Sequence, residues 1–317
     1  AYNKYRRTDA DGIYSKGVFM KYRSGFIAIV GRPNAGKSTL LNAILKEKVA
    51  ITTPKPQTTR NNISGILTTE DTQYVFVDTP GIHKPKHELG RTLNKNAYTA
   101  ISEADVNFWV VDATQPYGSG DEFMLEKMKS AHIPVFLILN KIDLLEKEKL
   151  LKVLARWQER MEFAEIFPIS ALTNDNIEHL LEITRSYLSE GPKYFPDDMI
   201  SDHGLSFQIA EIIREKVLYK TNEEVPHSVA VVVENMEETD KKVYLQAVIV
   251  VERTSQKAIL IGKQAAMIRA IRLAAQKELK EKLHKKIELE LYVRVEKNWR
   301  NREGKLQQLG YREKFDE

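Results

Sequence analysis

The sequence has 317 residues, 42% hydrophobic and 29% charged, and is therefore long enough for about two soluble globular domains. It contains no cysteine, which excludes a disulfide framework, a thiolate metal site and a cysteine nucleophile, and which is compatible with a reducing cytosol. The net charge of +4 is too small to indicate a nucleic-acid partner by itself, and no apolar run is long enough to cross a bilayer.

Residues 1–21 are predicted to form an N-terminal extension. This stretch mixes charged residues and lacks the apolar core that a secretory signal peptide needs. We assign it no function.

Short apolar segments follow the extension, and helical patterns separate several of them. Near-continuous apolar strands are typical of a sheet covered by helices on both faces, and such sheets are mostly parallel. We therefore predict an α/β domain over residues 22–190 and a linker at 191–204, where Pro, Gly and Asp are frequent. The predicted strands are FIAIV (26–30), YVFV (74–77), VNFWVV (106–111), VFLIL (135–139) and IFPIS (166–170), and the predicted helices are Lys37–Leu45, Phe123–Ser130 and Asn176–Leu188.

The pattern changes after the linker. The order of predicted elements over residues 205–317 is helix, strand, strand, helix, strand, which suits a small α+β domain. The segments are LSFQIAEIIREKVLYK, SVAVVVENM, KVYLQAVIVVE, KQAAMIRAIRLAAQKELKEKL and KIELELYVRVEKNW.

The first predicted strand leads into GRPNAGKST, which matches G-x-x-x-x-G-K-[ST] at Gly31, Gly36, Lys37 and Ser38. Small residues let backbone N–H groups approach phosphates, and the N-terminus of the following helix adds partial positive charge. Lys37 is predicted to reach the β- and γ-phosphates, and Ser38 to bind Mg²⁺. The alternative is a chance match in a strand-turn-helix. The predicted nucleotide-binding residues here are Gly31, Arg32, Pro33, Asn34, Ala35, Gly36, Lys37, Ser38 and Thr39.

A second segment, VFVDTPG, places Asp78 at the end of an apolar strand, where ligands bind in open α/β sheets. Asp78 is predicted to hold Mg²⁺ through water, and the Gly81 N–H to bond the γ-phosphate. Taken alone, this motif could equally be an ordinary turn. The predicted site residues here are Asp78, Thr79, Pro80, Gly81 and Ile82.

The segment LNKID supplies a candidate base-recognition site. The Asp143 carboxylate can accept hydrogen bonds from guanine N1–H and the exocyclic amine, a paired set of donors that adenine lacks. Lys141 is predicted to lie across the base, and Asn140 to support the loop and contact the base edge. In the later segment SAL, the Ala171 N–H is predicted to meet guanine O6. That segment consists of Ser170, Ala171 and Leu172.

The order and spacing of these motifs resemble a TRAFAC-class GTPase over about residues 24–190. QTTR, at residues 57–60, then falls where the first switch should be, and either Thr58 or Thr59 is predicted to bind Mg²⁺. The alternative is a plain mobile loop. A small-molecule kinase is a further alternative, but it would have no use for the guanine-recognition segment.

Three longer segments, GRPNAGKSTLLNAILKEKVAITTPKPQTTR, FVDTPGIHKPKHELG and EEVPHSVAV, resemble the Era family of bacterial ribosome-associated GTPases. The resemblance implies that the second domain is a type II KH domain. It also implies binding near the 3′ end of 16S ribosomal RNA, a role in maturation of the 30S subunit, and loose association with the cytoplasmic face of the membrane. We expect a cytoplasmic monomer.

KH domains clamp single-stranded RNA with a G-x-x-G loop. Here the second glycine is replaced by Ala265, which is costly if that position requires a positive φ. The surrounding basic residues fit a phosphate track, or else a solvated helix face. A GTPase whose second domain docks a protein or membrane partner, with weak RNA binding, is therefore the alternative function. The predicted RNA-binding residues are Lys257, Gly262, Lys263, Gln264, Arg269 and Arg272.

The C-terminal segment KNWRNR offers further basic residues. Arg294, Lys297 and Arg300 could extend the basic patch. Trp299 could stack on a base or anchor the C-terminal segment, and we favour the anchor.

Ras-like enzymes place a glutamine after D-x-x-G to orient the attacking water, but this chain has Ile82 there. We therefore expect slow intrinsic hydrolysis. We hypothesise that the Asn34 side chain holds K⁺ beside the β–γ bridge; the alternative is that Asn34 only shapes the turn. The predicted catalytic residues are Lys37, Gly81 and Asn34.

Overall fold

The computed structural model describes residues 21–311 except Pro56 and His83, so nearly all of the predicted N-terminal extension lies outside the described residues. The chain forms two compact units. The first comprises the described residues up to Ala50 together with 59–84 and 93–202. The second comprises 51–58, 85–92 and the chain from His203 onward.

The first unit contains a six-stranded sheet with the strand order β2-β3-β1-β4-β5-β6, in which only the β2–β3 pairing is antiparallel. All six residues of β5 are buried, as expected for a strand covered on both faces. The strands are β1 (Arg23–Val30), β2 (Ile63–Thr68), β3 (Thr72–Asp78), β4 (Val106–Asp112), β5 (Val135–Asn140) and β6 (Glu165–Pro168). The helices are α1 (Lys37–Leu45), α2 (Glu88–Glu103, of which residues 88–92 are assigned to the second unit), α3 (Ser119–Ala131), α4 (Lys147–Gln158) and α5 (Ile177–Tyr187).

The register of the parallel strands brings the sequence motifs to one edge of this sheet. Ile29, at the end of β1, pairs with Asp78 at the end of β3, and Asp112 at the end of β4 pairs with Asn140 at the end of β5. The carboxyl ends of parallel strands are where ligands bind in open α/β sheets. The core beneath this edge includes Trp109, which is fully buried.

The segment predicted as a linker packs largely on the first unit. Ser24 Oγ donates to the Pro192 carbonyl at 2.7 Å, and Gln73 Oε1 accepts the Phe195 N–H at 3.0 Å. The Ile66 N–H donates to the Ile200 carbonyl at 2.8 Å. These bonds satisfy backbone groups of the segment, and the first compact unit extends to Asp202, which lies within the predicted linker 191–204.

The second unit contains a three-stranded sheet in which β7 and β8 are antiparallel and β8 and β9 are parallel. The predicted order of helix, strand, strand, helix, strand is confirmed. Among the described residues, three α-helices were not predicted: one before the first strand, one before the loop at residues 262–265 and one after the last strand. No helix among the described residues is long and apolar enough to span a membrane. The elements are α6 (Leu205–Lys220), α7 (Val225–Ser228), β7 (Ala230–Glu238), β8 (Lys242–Val251), α8 (Thr254–Ile261), α9 (Ala266–Leu283), β9 (Lys286–Val295) and α10 (Glu303–Gln308).

Candidate functional site

Two glycines set the path of the loop between β1 and α1. Gly31 has φ 149°, and a Cβ on it would lie 2.2 Å from the Val110 carbonyl oxygen. Gly36 has φ 97°, and a Cβ there would lie 2.1 Å from Asn140 Nδ2. A side chain at Gly31 would clash with backbone, a side chain at Gly36 would displace the Asn140 amide, and both φ angles are strained for residues other than glycine. The loop therefore passes close to the sheet edge before it enters α1.

Lys37, the first residue of α1, is buried beneath this loop. Its Nζ donates to the carbonyl oxygens of Gly31 at 3.2 Å and Arg32 at 3.0 Å. Burial lowers the pKa of Lys37 to about 8, although the charge of Asp78 opposes that shift. A buried ammonium group of this kind is suited to binding an anionic phosphate, which would restore the pKa.

Three oxygen-bearing side chains meet beside Lys37. Ser38 Oγ donates to Asp78 Oδ2 at 2.6 Å, and Thr59 Oγ1 lies 2.8 Å from Ser38 Oγ. Asp78 Oδ1 is buried and has no hydrogen-bond partner among the described residues. Burial raises the pKa of Asp78 to about 6, against the effects of Lys37, Ser38 and Thr59. Hydroxyl and carboxylate oxygens with a buried, unpaired acceptor form a donor set that fits a hard cation such as Mg²⁺.

Thr58, the other candidate in the first switch, points elsewhere. Its hydroxyl donates to the Lys55 carbonyl and lies 2.7 Å from Thr53 Oγ1. Its own carbonyl accepts a hydrogen bond from the buried Arg214 within the second unit. The structure therefore brings Thr59, and not Thr58, together with Ser38.

The D-T-P-G segment packs against the phosphate loop. The Thr79 side chain donates to the Ile29 carbonyl at 2.9 Å, which fixes the segment at the end of β1. A Cβ on Gly81 would lie 2.8 Å from the Pro33 nitrogen, so only glycine permits this approach. Ile82 is 3% exposed and belongs to the hydrophobic core. Its side chain is therefore unable to orient an attacking water.

Asn140 links the phosphate loop to the segment SAL. Its Nδ2 donates to the Ala35 carbonyl at 3.0 Å, and its Oδ1 accepts the Ala171 N–H at 3.0 Å. The Ala171 N–H would therefore have to share or leave this bond to meet guanine O6. Ser170 Oγ donates to Asp143 Oδ1 at 2.6 Å, which orients the exposed Asp143 carboxylate. Asn140 is buried where it joins these two loops, and its predicted contact with the base edge stays a prediction.

Two acidic residues that the sequence analysis missed also contact the predicted site. Asp112 forms an ion pair with Lys141, with 2.6 Å between Oδ2 and Nζ. The buried Asp121, in the first turn of α3, forms an ion pair with Arg32 of the phosphate loop at 3.0 Å. The sequence does carry a signal for Asp112, because this residue directly follows a predicted strand, as Asp78 does. The contact of Asp121 crosses from another helix, and the sequence offers no signal for it.

In the second unit, the loop between α8 and α9 adopts positive φ angles, including at Ala265, which replaces the second glycine of G-x-x-G. Gly262 has φ 71°, Gln264 φ 50° and Ala265 φ 58°. A Cβ on Gly262 would lie 2.9 Å from the Met267 nitrogen. Ala265 thus occupies a left-handed conformation that costs a non-glycine residue roughly 1–2 kcal/mol. The loop keeps its turn despite the missing second glycine.

The predicted RNA-binding side chains at this loop differ in accessibility. Lys263, Gln264, Arg269 and Arg272 are exposed, whereas Lys257 is half-buried. The four exposed side chains are available to a ligand.

Most of the basic side chains in the proposed C-terminal extension of the basic patch are paired with acidic residues. Arg300 donates to Glu252 Oε2 through Nε at 3.0 Å, and Arg294 pairs with Glu234 at 2.8 Å. Trp299 is fully buried, and its Nε1 donates to the Ser228 carbonyl at 2.9 Å, which confirms the predicted anchor. Among the described residues of this extension, only Lys297 is exposed without an ion pair or hydrogen bond.

Comparison with known proteins gives matches for both units. Residues 26–141 match the family described as 50S ribosome-binding GTPase, and residues 224–300 match the KH domain family. One similar structure is Era in complex with MgGDPNP and nucleotides 1506–1542 of 16S ribosomal RNA. It has 37% sequence identity and a TM-score of 0.89, and the match covers 92% of this chain and 99% of that one. Another is a variant of Era from Aquifex aeolicus bound to GDP and AlF4⁻. It has 38% identity and a TM-score of 0.88, and the match covers 91% of this chain and 99% of that one.

Proposed function

The chain belongs to the Era family, and we propose that it is a GTPase that binds the 3′ region of 16S ribosomal RNA and hydrolyses GTP to GDP and phosphate. The observation that carries this proposal is the meeting of the phosphate loop, the Ser38–Thr59–Asp78 cluster and the Asn140-linked loops at one edge of the sheet.

Guanine selectivity follows from the Asp143 carboxylate. Ser170 fixes one of its oxygens, and the side chain remains exposed toward solvent. Two guanine N–H groups can pair with such a carboxylate, whereas adenine would leave it unpaired, a difference that can amount to orders of magnitude in selectivity. Lys141 lies on the same loop, where its aliphatic stem can cover the face of the base.

The Mg²⁺ of the GTP complex would be held by Ser38, Thr59 and Asp78. The unpaired Oδ1 of Asp78 leaves an acceptor for a metal-bound water. When bound, Mg²⁺ neutralises charge on the β- and γ-phosphates. Thr59 can act as a ligand when residues 57–60 adopt the position seen here, beside Ser38. Binding of the γ-phosphate is therefore expected to order the first switch, and the ordered switch is expected to hold the γ-phosphate.

Hydrolysis has to proceed without a glutamine directly after D-x-x-G, because that position is occupied by Ile82, whose apolar side chain is buried in the core. We assign to Lys37 and the Gly81 N–H the stabilisation of negative charge on the transferring phosphoryl group. We propose that the exposed Asn34, at φ 63° on the loop, helps to hold K⁺, which supplies positive charge near the leaving group. Slow intrinsic turnover is expected from this constellation.

RNA binding is assigned to the loop at residues 262–265 and to the exposed Arg269 and Arg272 that follow it. The left-handed backbone of Ala265 supports this proposal, because the loop adopts a conformation that a glycine would favour. We also propose a role in 30S maturation, a monomeric state, and a cytoplasmic location with peripheral association with the membrane. Support for the role in 30S maturation comes from the similar Era structure, which holds nucleotides 1506–1542 of 16S ribosomal RNA.

The test is a filter-binding series with a single-stranded RNA that matches the 3′ end of 16S ribosomal RNA, measured with a GTP analogue at several salt concentrations. We expect affinity that falls steeply with salt and that exceeds the affinity for a scrambled RNA of the same length. Equal, weak binding of both RNAs would favour the alternative, in which the second unit docks a protein or a membrane.

A further inference from the structure

Asp112 is held rigidly at the carboxyl end of β4. Its Oδ1 accepts hydrogen bonds from the Thr114 N–H at 2.9 Å and the Thr114 hydroxyl at 2.6 Å. Its Oδ2 lies 2.6 Å from Lys141 Nζ. The backbone beside it is fixed as well, since the Ala113 N–H donates to the Asn140 carbonyl at 2.9 Å. Both carboxylate oxygens are therefore used, one for the turn and one for the lysine.

The lysine end of this pair is equally constrained. Lys141 adopts φ 69° and precedes the 3₁₀ turn Ile142–Leu144, so its backbone direction is set. The Lys141 side chain is 31% exposed and that of Asp112 only 15%, which places the ion pair at the margin of the site. Burial would raise the pKa of Asp112, but hydrogen bonds from Lys141 and Thr114 and the charge of Lys141 outweigh it and lower the pKa.

We propose that Asp112 is a positioning residue for guanine-nucleotide binding, which holds the Lys141 ammonium group so that the lysine stem is preset along the face of the base. This inference rests on the proposed function. A free lysine side chain samples many rotamers, and a side chain ordered before binding does not lose that freedom when the ligand arrives.

The pair has no role in reading the base edge or the phosphates, and this gives the proposal a distinctive signature. Loss of Asp112 should weaken the binding of GDP and of GTP by the same factor, because both nucleotides carry the same nucleoside. It should leave the preference for guanine over xanthine unchanged, since that preference belongs to Asp143. A merely structural defect would not be confined to the nucleoside in this way.

The experiment is stopped-flow dissociation of fluorescent N-methylanthraniloyl GDP and GTP from the full chain. We expect Asp112→Asn to accelerate dissociation of both nucleotides about tenfold, as for the loss of one charge-assisted hydrogen bond at a partly exposed site. Lys141→Met should give a similar change, and the double variant should be no worse than the more impaired single variant. Asp197→Asn is the matched control, because Asp197 forms a 2.7 Å pair with Lys193 away from the site.

Each outcome bears on the proposal. Absence of nucleotide binding by the unaltered chain would overturn the proposed function and this inference with it. Normal binding by the unaltered chain, with Asp112→Asn changed by less than twofold or with strictly additive single variants, would overturn the inference alone. Slower dissociation from Asp112→Asn would also overturn it, because Asp112 would then compete with the base for Lys141. If Asp112→Asn fails to fold, Thr114→Val, which removes one bond to Asp112, should accelerate dissociation about threefold, and an unchanged rate would count against the proposal.

Discussion

Asp78 should destabilise the protein in the absence of metal, and Asp78→Asn should therefore raise its stability. The carboxyl is fully buried, and burial raises its pKa from 3.8 to about 6. At about 1.4 kcal/mol for each pH unit of pKa difference, the ionised form costs the folded state up to about 3 kcal/mol above pH 6. Asparagine keeps an acceptor for Ser38 but carries no charge.

The net gain should be smaller than this limit, because Lys37 loses the attraction of the Asp78 carboxylate. We expect Asp78→Asn to raise the free energy of unfolding by about 1–2 kcal/mol at pH 7.5. A group whose pKa is raised on folding binds protons more tightly in the folded state, so its penalty appears as pH rises from about 4 to 6. The gain should therefore disappear at pH 4.

The assay is urea denaturation of nucleotide-free protein in EDTA at pH 4 and pH 7.5, followed by Mg²⁺-dependent GTP binding. Asp198→Asn, at an exposed carboxyl, is the control and should change neither quantity. Asp78→Asn should also lose the Mg²⁺ dependence of GTP affinity. A variant that is less stable than the parent at pH 7.5, or equally stabilised at both pH values, would refute the reasoning about burial.

Three further predictions concern nucleotide and RNA binding. Asp143→Asn should lower GTP affinity by about 100-fold and favour xanthosine triphosphate, because the xanthine 2-oxo group can accept a hydrogen bond from the amide. A competition assay measures the preference, and an unchanged preference for GTP would remove Asp143 from base recognition. Lys263→Ala with Arg269→Ala should weaken RNA binding and lower its salt slope by about 1.4, about 0.7 for each lost phosphate contact, while GTP binding is retained; a surviving slope would place the RNA site elsewhere. Because Asn34 has φ 63°, Asn34→Gly keeps the turn and removes only the side chain. This variant should abolish any advantage of K⁺ over Na⁺ in the rate of single-turnover hydrolysis, and a K⁺ advantage that persists would remove Asn34 as the ligand.

The sequence supports the larger features of the first unit because its strands are strongly apolar and its motifs lie at their ends. The strand β2 was not predicted. It contains Gly65, where a Cβ would lie 2.6 Å from the side chains of Leu41 and Leu45, so the glycine serves the packing of α1 and weakens the strand pattern. An edge strand of this composition gives little local signal.

Other features depend on contacts that local sequence does not encode. Thr58 and Thr59 are identical neighbours, and only the fold directs Thr59 toward Ser38. The run KQAAMIRA has strong helical propensity, yet left-handed angles at Gln264 and Ala265 break it into a loop and a helix. The Asp112–Lys141 pair joins the ends of two adjacent parallel strands, and the two residues are 29 positions apart in the chain. Such a pair is recognisable only once the strand register is known.

The measurement that tests the central claim most directly is single-turnover phosphate release by the unaltered chain from GTP and from ATP, each with Mg²⁺ and with EDTA. The account predicts slow release from GTP that requires Mg²⁺, and release from ATP that is lower by orders of magnitude at the same concentration. Equal release from the two nucleotides would contradict the base recognition assigned to Asp143, and GTP hydrolysis that is indifferent to EDTA would contradict the metal site assigned to Ser38, Thr59 and Asp78.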